Sequence, residues 1–156
     1  MVDKKQNKSQ QSSIDDFVTD PNINHFIVYT DGSCIPNPGA GGWAYEIRNS
    51  NDEIVDSLSG SDKNTTNNRM ELTAVIKSLQ SDYINNDSVV TIKSDSQLII
   101  NTMNENWKKK ENIDLWQNLE ESKKMKNLRC KWEWVKAHAG IEGNENVDQK
   151  ANQEAR

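Results

Sequence analysis

The chain has 156 residues, 33% of them apolar, and a net charge of −5, enough length for one domain with its own core. No apolar run is long enough to span a membrane, and the Lys-bearing, acid-containing N-terminus fits neither a secretory signal nor a transit peptide. Two cysteines without a CxxC spacing exclude a disulfide framework and point to a reduced, cytoplasmic setting.

Residues 1–24 are expected to form a disordered tail, because MVDKKQNKSQQSSIDD is almost wholly polar. A single domain is expected over 25–156. HFIVYTD (25–31) is β-branched and aromatic and reads as a strand that ends in Asp31. GGWAYEIRN (41–49) and EIVDSLSG (53–60) read as two further strands. The turn-like Ser50-Asn51-Asp52 joins them, which predicts an antiparallel meander. TTNNRMELTAVIKSLQ (65–80) has helical spacing. Met70, Ala74 and Lys77 fall on one side, Leu72, Val75, Ile76 and Leu79 on another.

SVVTIKSD (88–95) is a fourth strand, again ending in an acid, Asp95, and SQLIINTMNE (96–105) reads as a helix directly after it. IDLWQNLEESKKMKN (113–127) is an amphipathic helix, and RCKWEWV (129–135) alternates as a strand. AHAGIEG (137–143) is a loop, and NENVDQKANQEA (144–155) a terminal helix. Strands alternating with helices after a meander predict an α/β fold, a mixed sheet with helices packed on it. Trp43, Trp116, Trp132 and Trp134 read as packing residues, with Trp116 in the core.

The charge is uneven. Between Trp107 and Lys136 nine bases face five acids, a local charge of +4 that leaves the remainder at −9. A basic ridge beside an acidic cluster suits a polyanion held against metal ions; a solvated helix face is the alternative.

Chemistry in an open α/β sheet gathers beyond the carboxyl ends of neighbouring strands. If the first and fourth strands are parallel neighbours, Asp31 and Asp95 nearly touch. Glu71 lies about one turn inside the first helix and Asp148 one turn inside the last, so four acids can meet in one crevice. Such acids repel one another unless divalent cations join them. Oxygen-only ligands select hard ions such as Mg²⁺ or Mn²⁺, and a pair of them forms a clamp for phosphoryl displacement. Each acid also has a plain reading. Asp31 and Asp95 suit a turn or helix cap, Glu71 a capping box with Asn68, and Asp148 the charge preference of a helix N-terminus.

Taken together, YTDGSCIPNPGAGGWAY, TTNNRMELTAVIKSL, SDSQ, DLWQNL and KWEWVKAHAGIEGNENVDQKA resemble type 1 ribonuclease H, in order and over about residues 25–152. The resemblance implies a five-stranded mixed sheet, three strands antiparallel and two parallel, with helices on both faces. It also implies a monomeric endonuclease that hydrolyses the RNA strand of RNA–DNA hybrids by two-metal-ion catalysis, leaving 5′-phosphate and 3′-hydroxyl ends. The family's catalytic and metal-binding carboxylates fall on Asp31, Glu71, Asp95 and Asp148. Asp31 would bridge two Mg²⁺ ions, with Mn²⁺ as substitute, Glu71 and Asp95 would serve the leaving side, and Asp148 the attacking water. His138 matches a loop histidine that relays a proton or helps release product.

The resemblance further implies minor-groove contacts to the RNA 2′-hydroxyl from Asn37, Asn67, Asn68 and Gln97 and from backbone at Gly32, Ser33 and Cys34. Such contacts carry little sequence information. Thr66 matches a residue that takes a DNA-strand phosphate, its plain reading being a helix cap. Trp107 beside Lys108–Lys110 reads either as a stacking residue on the DNA backbone or as packing. Two features depart from the family. NWKKKENIDLW is too short for the basic handle of many bacterial members, which predicts a hybrid affinity that is weaker or rests on another element, and a shallower salt dependence. Only eight residues follow Asp148, which predicts a short last helix, a looser Asp148 and a preference for Mn²⁺.

In the tail, Gln11, Ile14 and Phe17 of QSSIDDFV resemble the peptide by which replication enzymes bind the sliding clamp, with Val18 replacing the usual second aromatic; a chance match is the alternative. Two other functions compete with the hybrid nuclease: a same-fold DNA nuclease, and a catalytically silent hybrid-binding module. The first is expected to lack the NNRMEL, SDSQ and HAG set, and the second to have lost one of the four acids.

Overall fold

The computed structural model describes residues 22–156. The clamp-like Gln11, Ile14 and Phe17, and the tail as far as residue 21, lie outside the described residues. The chain runs β1 (His25–Cys34), β2 (Gly39–Arg48), β3 (Ile54–Thr65), α1 (Asn67–Leu79), β4 (Val89–Ser94), α2 (Gln97–Glu105), α3 (Ile113–Met125), β5 (Arg129–Trp134) and α4 (Glu142–Ala155). The strands form one sheet in the order β3-β2-β1-β4-β5. β1–β2 and β2–β3 are antiparallel, while β1–β4 and β4–β5 are parallel.

Strand alternation divides the sheet into two faces. Val28, Tyr45, Ile47, Val90, Ile92 and Trp132 pack with α1, α2 and α3 in the main core. Tyr29 and Ala44 point the other way and meet Val147 and Ala151 of α4. Among the described residues no helix is long and apolar enough to cross a membrane.

Local chemistry explains the boundaries. The Asn49 side chain accepts from the Asn51 and Glu53 amides at 2.9 and 3.0 Å, which closes the β2–β3 turn with Asp52 at φ 63°. Thr66 caps α1, its Oγ1 accepting from Arg69 N at 3.3 Å, and Ser96 caps α2 by accepting from Ile99 N at 3.3 Å. Asn106, left-handed at φ 54°, ends α2.

Three sequence expectations need correction. β1 does not stop at Asp31: it continues to Cys34, because Asp31–Cys34 remain paired with Ala44–Gly41 of β2. β3 runs on to Thr65 opposite Gly39, so Thr65 belongs to the strand and not to α1. Trp43, Trp116 and Trp132 are buried, but Trp134 is 47% exposed.

Candidate active site

The parallel ladder of β1 and β4 ends at the pair Thr30 and Ser94. Asp31, the next residue of β1, and Asp95, the first residue past β4, follow that pair, so the register sets two carboxylates side by side. Glu71 arrives from the main-core face, in the second turn of α1. It reaches Asp31 because α1 lies against β1 at Gly32, where a Cβ would stand 2.3 Å from the Glu71 amide nitrogen. Asp31, Glu71 and Asp95 offer oxygens that all lie within 4.8 Å of one another. From the opposite face, α4 brings Asp148 within hydrogen-bonding reach of Asp31. The structure therefore brings three of the acids into one cluster and sets Asp148 beside Asp31 from the other face, outside that 4.8 Å group.

The helix-capping and helix-terminus readings of these acids do not describe them. Neither Asp31 nor Asp95 caps a helix, since Thr66 and Ser96 do so. Glu71 lies beyond the first turn of α1, too far along for a capping box with Asn68. Asp148 is half-buried in the second turn of α4, which starts two residues earlier than its sequence suggests. The helix continues to Ala155 with Val147, Ala151 and Ala155 buried, so Asp148 is not on a frayed end.

The electrostatics follow from this crowding. Burial, then the charge of Asp95, then the hydrogen bond and charge of Asp148 push the Asp31 carboxyl up to about 8. Burial, then Asp31 and Asp95, push Glu71 well above the usual carboxylate range. Asp95 is also raised, mainly by burial, against the opposing bond from Asn144. Glu71 Oε2 is buried without a hydrogen-bond partner. Asp31 Oδ1 accepts from the Gly32 amide at 2.9 Å, and Asp95 Oδ2 from Asn144 Nδ2 at 3.4 Å. Without a cation, this cluster holds protons at neutral pH.

The other expected residues surround the acids. His138 is exposed in the loop between β5 and α4, at φ 57°, and its charge acts on Asp95. Asn37 sits at the tip of the β1–β2 hairpin, where its Oδ1 accepts from Asn67 N at 3.1 Å, tying that tip to the start of α1. Ser33 and Cys34 are buried in β1, whereas Asn68 and Gln97 are exposed on the first turns of α1 and α2. Thr66 is the α1 cap. Trp107 is 45% exposed just past α2. The link from α2 to α3 covers only residues 106–112, and within it Lys109 Nζ lies 5.5 Å above the Trp116 ring.

Sequence reasoning missed two residues at the site. Asn144, buried, donates to Asp95, and the Trp134 indole donates to the Asp95 carbonyl oxygen at 3.2 Å. Asn144 stands in the motif NENVD, one α-helical turn before Asp148, and that spacing was the available signal.

Comparison with known proteins agrees with this geometry. The family model described as RNase H matches residues 23–156. The ribonuclease H of Francisella philomiragia subsp. philomiragia is 43% identical, over 83% of this chain and 90% of the relative. LC11-RNase H1, solved in complex with an RNA/DNA hybrid, superposes with a TM-score of 0.73 at 25% identity, over 83% of this chain and 96% of its own. LC9-RNase H1, described as a type 1 RNase H with the type 2 active-site motif, gives 0.71 at 27% identity, over 88% and 74%. A match through the whole domain, with the acids at its ladder ends, means that the chain belongs to the ribonuclease H family, type 1, and is a hydrolytic ribonuclease.

Proposed function

We propose that the enzyme cleaves the RNA strand of RNA–DNA hybrids, leaving 5′-phosphate and 3′-hydroxyl ends. In this reading Asp31, Glu71, Asp95 and Asp148 together hold a pair of divalent cations. The observation that carries it is the crowding of buried acids just past the β1–β4 ladder. The donors fit hard ions such as Mg²⁺ or Mn²⁺: all are oxygens, one of them buried and unpartnered, and Asp31 and Glu71 lack a counter-charge. When bound, such ions supply Lewis-acid charge that makes a water a better nucleophile and offsets negative charge on the phosphate and leaving oxygen.

The chain's own residues do the rest. Asp31 lies between the acids of both sheet faces and fixes where the scissile phosphate sits. His138, in a loop of small neighbours, takes or returns a proton near the attacking water; histidine changes charge near neutral pH. Asn37, Asn67, Asn68 and Gln97, with backbone at Gly32, Ser33 and Cys34, test for the 2′-hydroxyl, since uncharged amides offer both a donor and an acceptor. Thr66, already the α1 cap, receives a phosphate of the DNA strand, and Trp107 flanks that strand. Contacts of this kind make cleavage largely independent of sequence. The LC11 enzyme's complex with a hybrid supports this choice of substrate.

End-labelled hybrid, double-stranded RNA and duplex DNA, each with Mg²⁺ and with Mn²⁺, test the reading. Cleavage of the RNA strand of the hybrid alone is the expected result. Equal attack on duplex DNA, or binding of hybrid without cleavage under either ion, would overturn it.

A further inference from the structure

Glu46 has no part in the chemistry above, yet it is one of the most deeply buried side chains, 1% exposed on β2. It points toward α4. Its Oε1 accepts from Asn146 Nδ2 at 2.9 Å, and its Oε2 accepts from Arg48 Nε at 3.2 Å. Arg48, also buried, lies 5.7 Å above the Tyr29 ring and pairs with Glu142 at 3.4 Å and with Asp52 at 3.2 Å. Its Nη2 makes its contacts with Glu46 and Glu142 as ion pairs rather than as directed hydrogen bonds.

Glu142 and Asn146 are four residues apart on one face of α4, in its first and second turns. That end of the helix has no side-chain cap at Ile141, and the loop before it is open, with nothing within 4 Å of a Cβ at Gly140. Farther along, α4 meets the sheet through Val147 and Ala151, through the close approach of Gly42 to the Ala151 carbonyl, and through polar contacts of Lys150 with Ser57 and of Glu154 with Ser59 on β3. The apolar contacts hold a helix down without fixing its rotation or its slide, and the Lys150 and Glu154 contacts act on its second half. Where the cap is missing, Glu46 accepts a directed bond from Asn146 and Arg48 adds an ion pair to Glu142, beside the Asn144–Asp95 bond. A buried ion pair stabilises a fold no better than well-packed apolar residues do, so its presence here calls for another role.

We propose that Glu46 and Arg48 are positioning residues for Asp148. They fix the first two turns of α4 against β2, and Asp148, two residues past Asn146, is thereby held beside Asp31. The inference rests on Asp148 as a cation ligand in the proposed function, while its structural half stands without it.

The test uses the full chain and the double variant Glu46→Leu/Arg48→Met, which removes both buried charges together. Glu46→Gln, which keeps an acceptor for Asn146, is the milder second variant. Hydrogen exchange of residues 141–148 is measured without metal, then Mn²⁺ binding by calorimetry without substrate, then kcat and KM on hybrid. The double variant is expected to exchange faster over 141–148 than elsewhere, to bind Mn²⁺ about tenfold more weakly, as losing the partners of a metal ligand does, and to lose kcat with KM unchanged. Glu46→Gln lies between it and wild type. Exchange and Mn²⁺ affinity equal to wild type in a folded double variant would overturn the proposal. If the double variant does not fold, the same measurements on Glu46→Gln decide. Should the wild type bind no Mn²⁺, the metal reading fails, and exchange over 141–148 alone decides whether the pair holds the helix.

Discussion

Gly32 and Glu71 touch through their backbones: a Cβ on Gly32 would lie 2.3 Å from the Glu71 nitrogen and 2.5 Å from the Met70 carbonyl carbon. This contact lets α1 approach β1 closely enough for Glu71 to share a site with Asp31. The obstacle is backbone, so a methyl group there cannot be relieved by a rotamer change. Gly32→Ala is expected to destabilise the protein by about 1–3 kcal/mol and to reduce cleavage by more than it reduces hybrid binding. Urea unfolding and a parallel binding assay read both; wild-type cleavage in the variant would mean that Glu71 does not need this approach.

Asp31 gives a pH dependence with a definite sign. Its folded carboxyl titrates at about 8, whereas an unfolded Asp titrates at about 3.9. Between these values the folded protein keeps a proton that the unfolded chain has released. Metal-free stability is therefore highest below the lower value and falls as pH rises through the upper one. Asp31→Asn removes the Asp31 share of this slope, leaving that of Glu71 and Asp95, and stabilises the metal-free protein at pH 8. Thermal melts in chelator from pH 5 to 9 check it. A wild-type slope as flat as that of the variant would show that Asp31 ionises freely.

Cation binding to these acids must displace their protons, so Mn²⁺ affinity is expected to rise with pH over the same window. Calorimetry in two buffers of different ionisation enthalpy counts the protons released. Binding without proton release would contradict the raised Asp31 and Glu71.

His138→Ala is expected to lower kcat by about a hundredfold, the low end for a positioned proton-transfer group, with little change in KM. The loss belongs to kcat because the proposed role of His138 is proton transfer in the chemical step, and it lies exposed in its loop rather than in the fold's core. A rise in KM at constant kcat would instead make it a substrate contact.

The short 106–112 link leaves Lys108, Lys109 and Lys110 as a compact basic run. Each replacement by Ala at a residue in phosphate contact is expected to lower the slope of log K against log salt by about 0.9. Filter binding on hybrid from low to high salt measures it; an unchanged slope in the triple variant would place the hybrid elsewhere.

Much of this was readable in the sequence because strand ends and helix spacing are local. Asp31 and Asp95 follow β-branched runs, and Glu71 and Asp148 sit at fixed offsets in helical patterns. What was hidden depends on pairing. The strand did not visibly extend past Asp31, since Gly32 to Cys34 look like a turn until β2 is laid beside them. Trp134 alternates like a packing residue, but it is the last residue of β5 and stays half exposed. Glu46 looks like the solvent face of a strand, and only α4, about a hundred residues later, turns that face inward.

The most direct measurement is cleavage and binding of labelled hybrid by Asp31→Asn beside wild type, with Mg²⁺ and with Mn²⁺. The account predicts that the variant binds hybrid as wild type does and cuts nothing under either ion. RNA-strand cleavage by Asp31→Asn at the wild-type rate would contradict it.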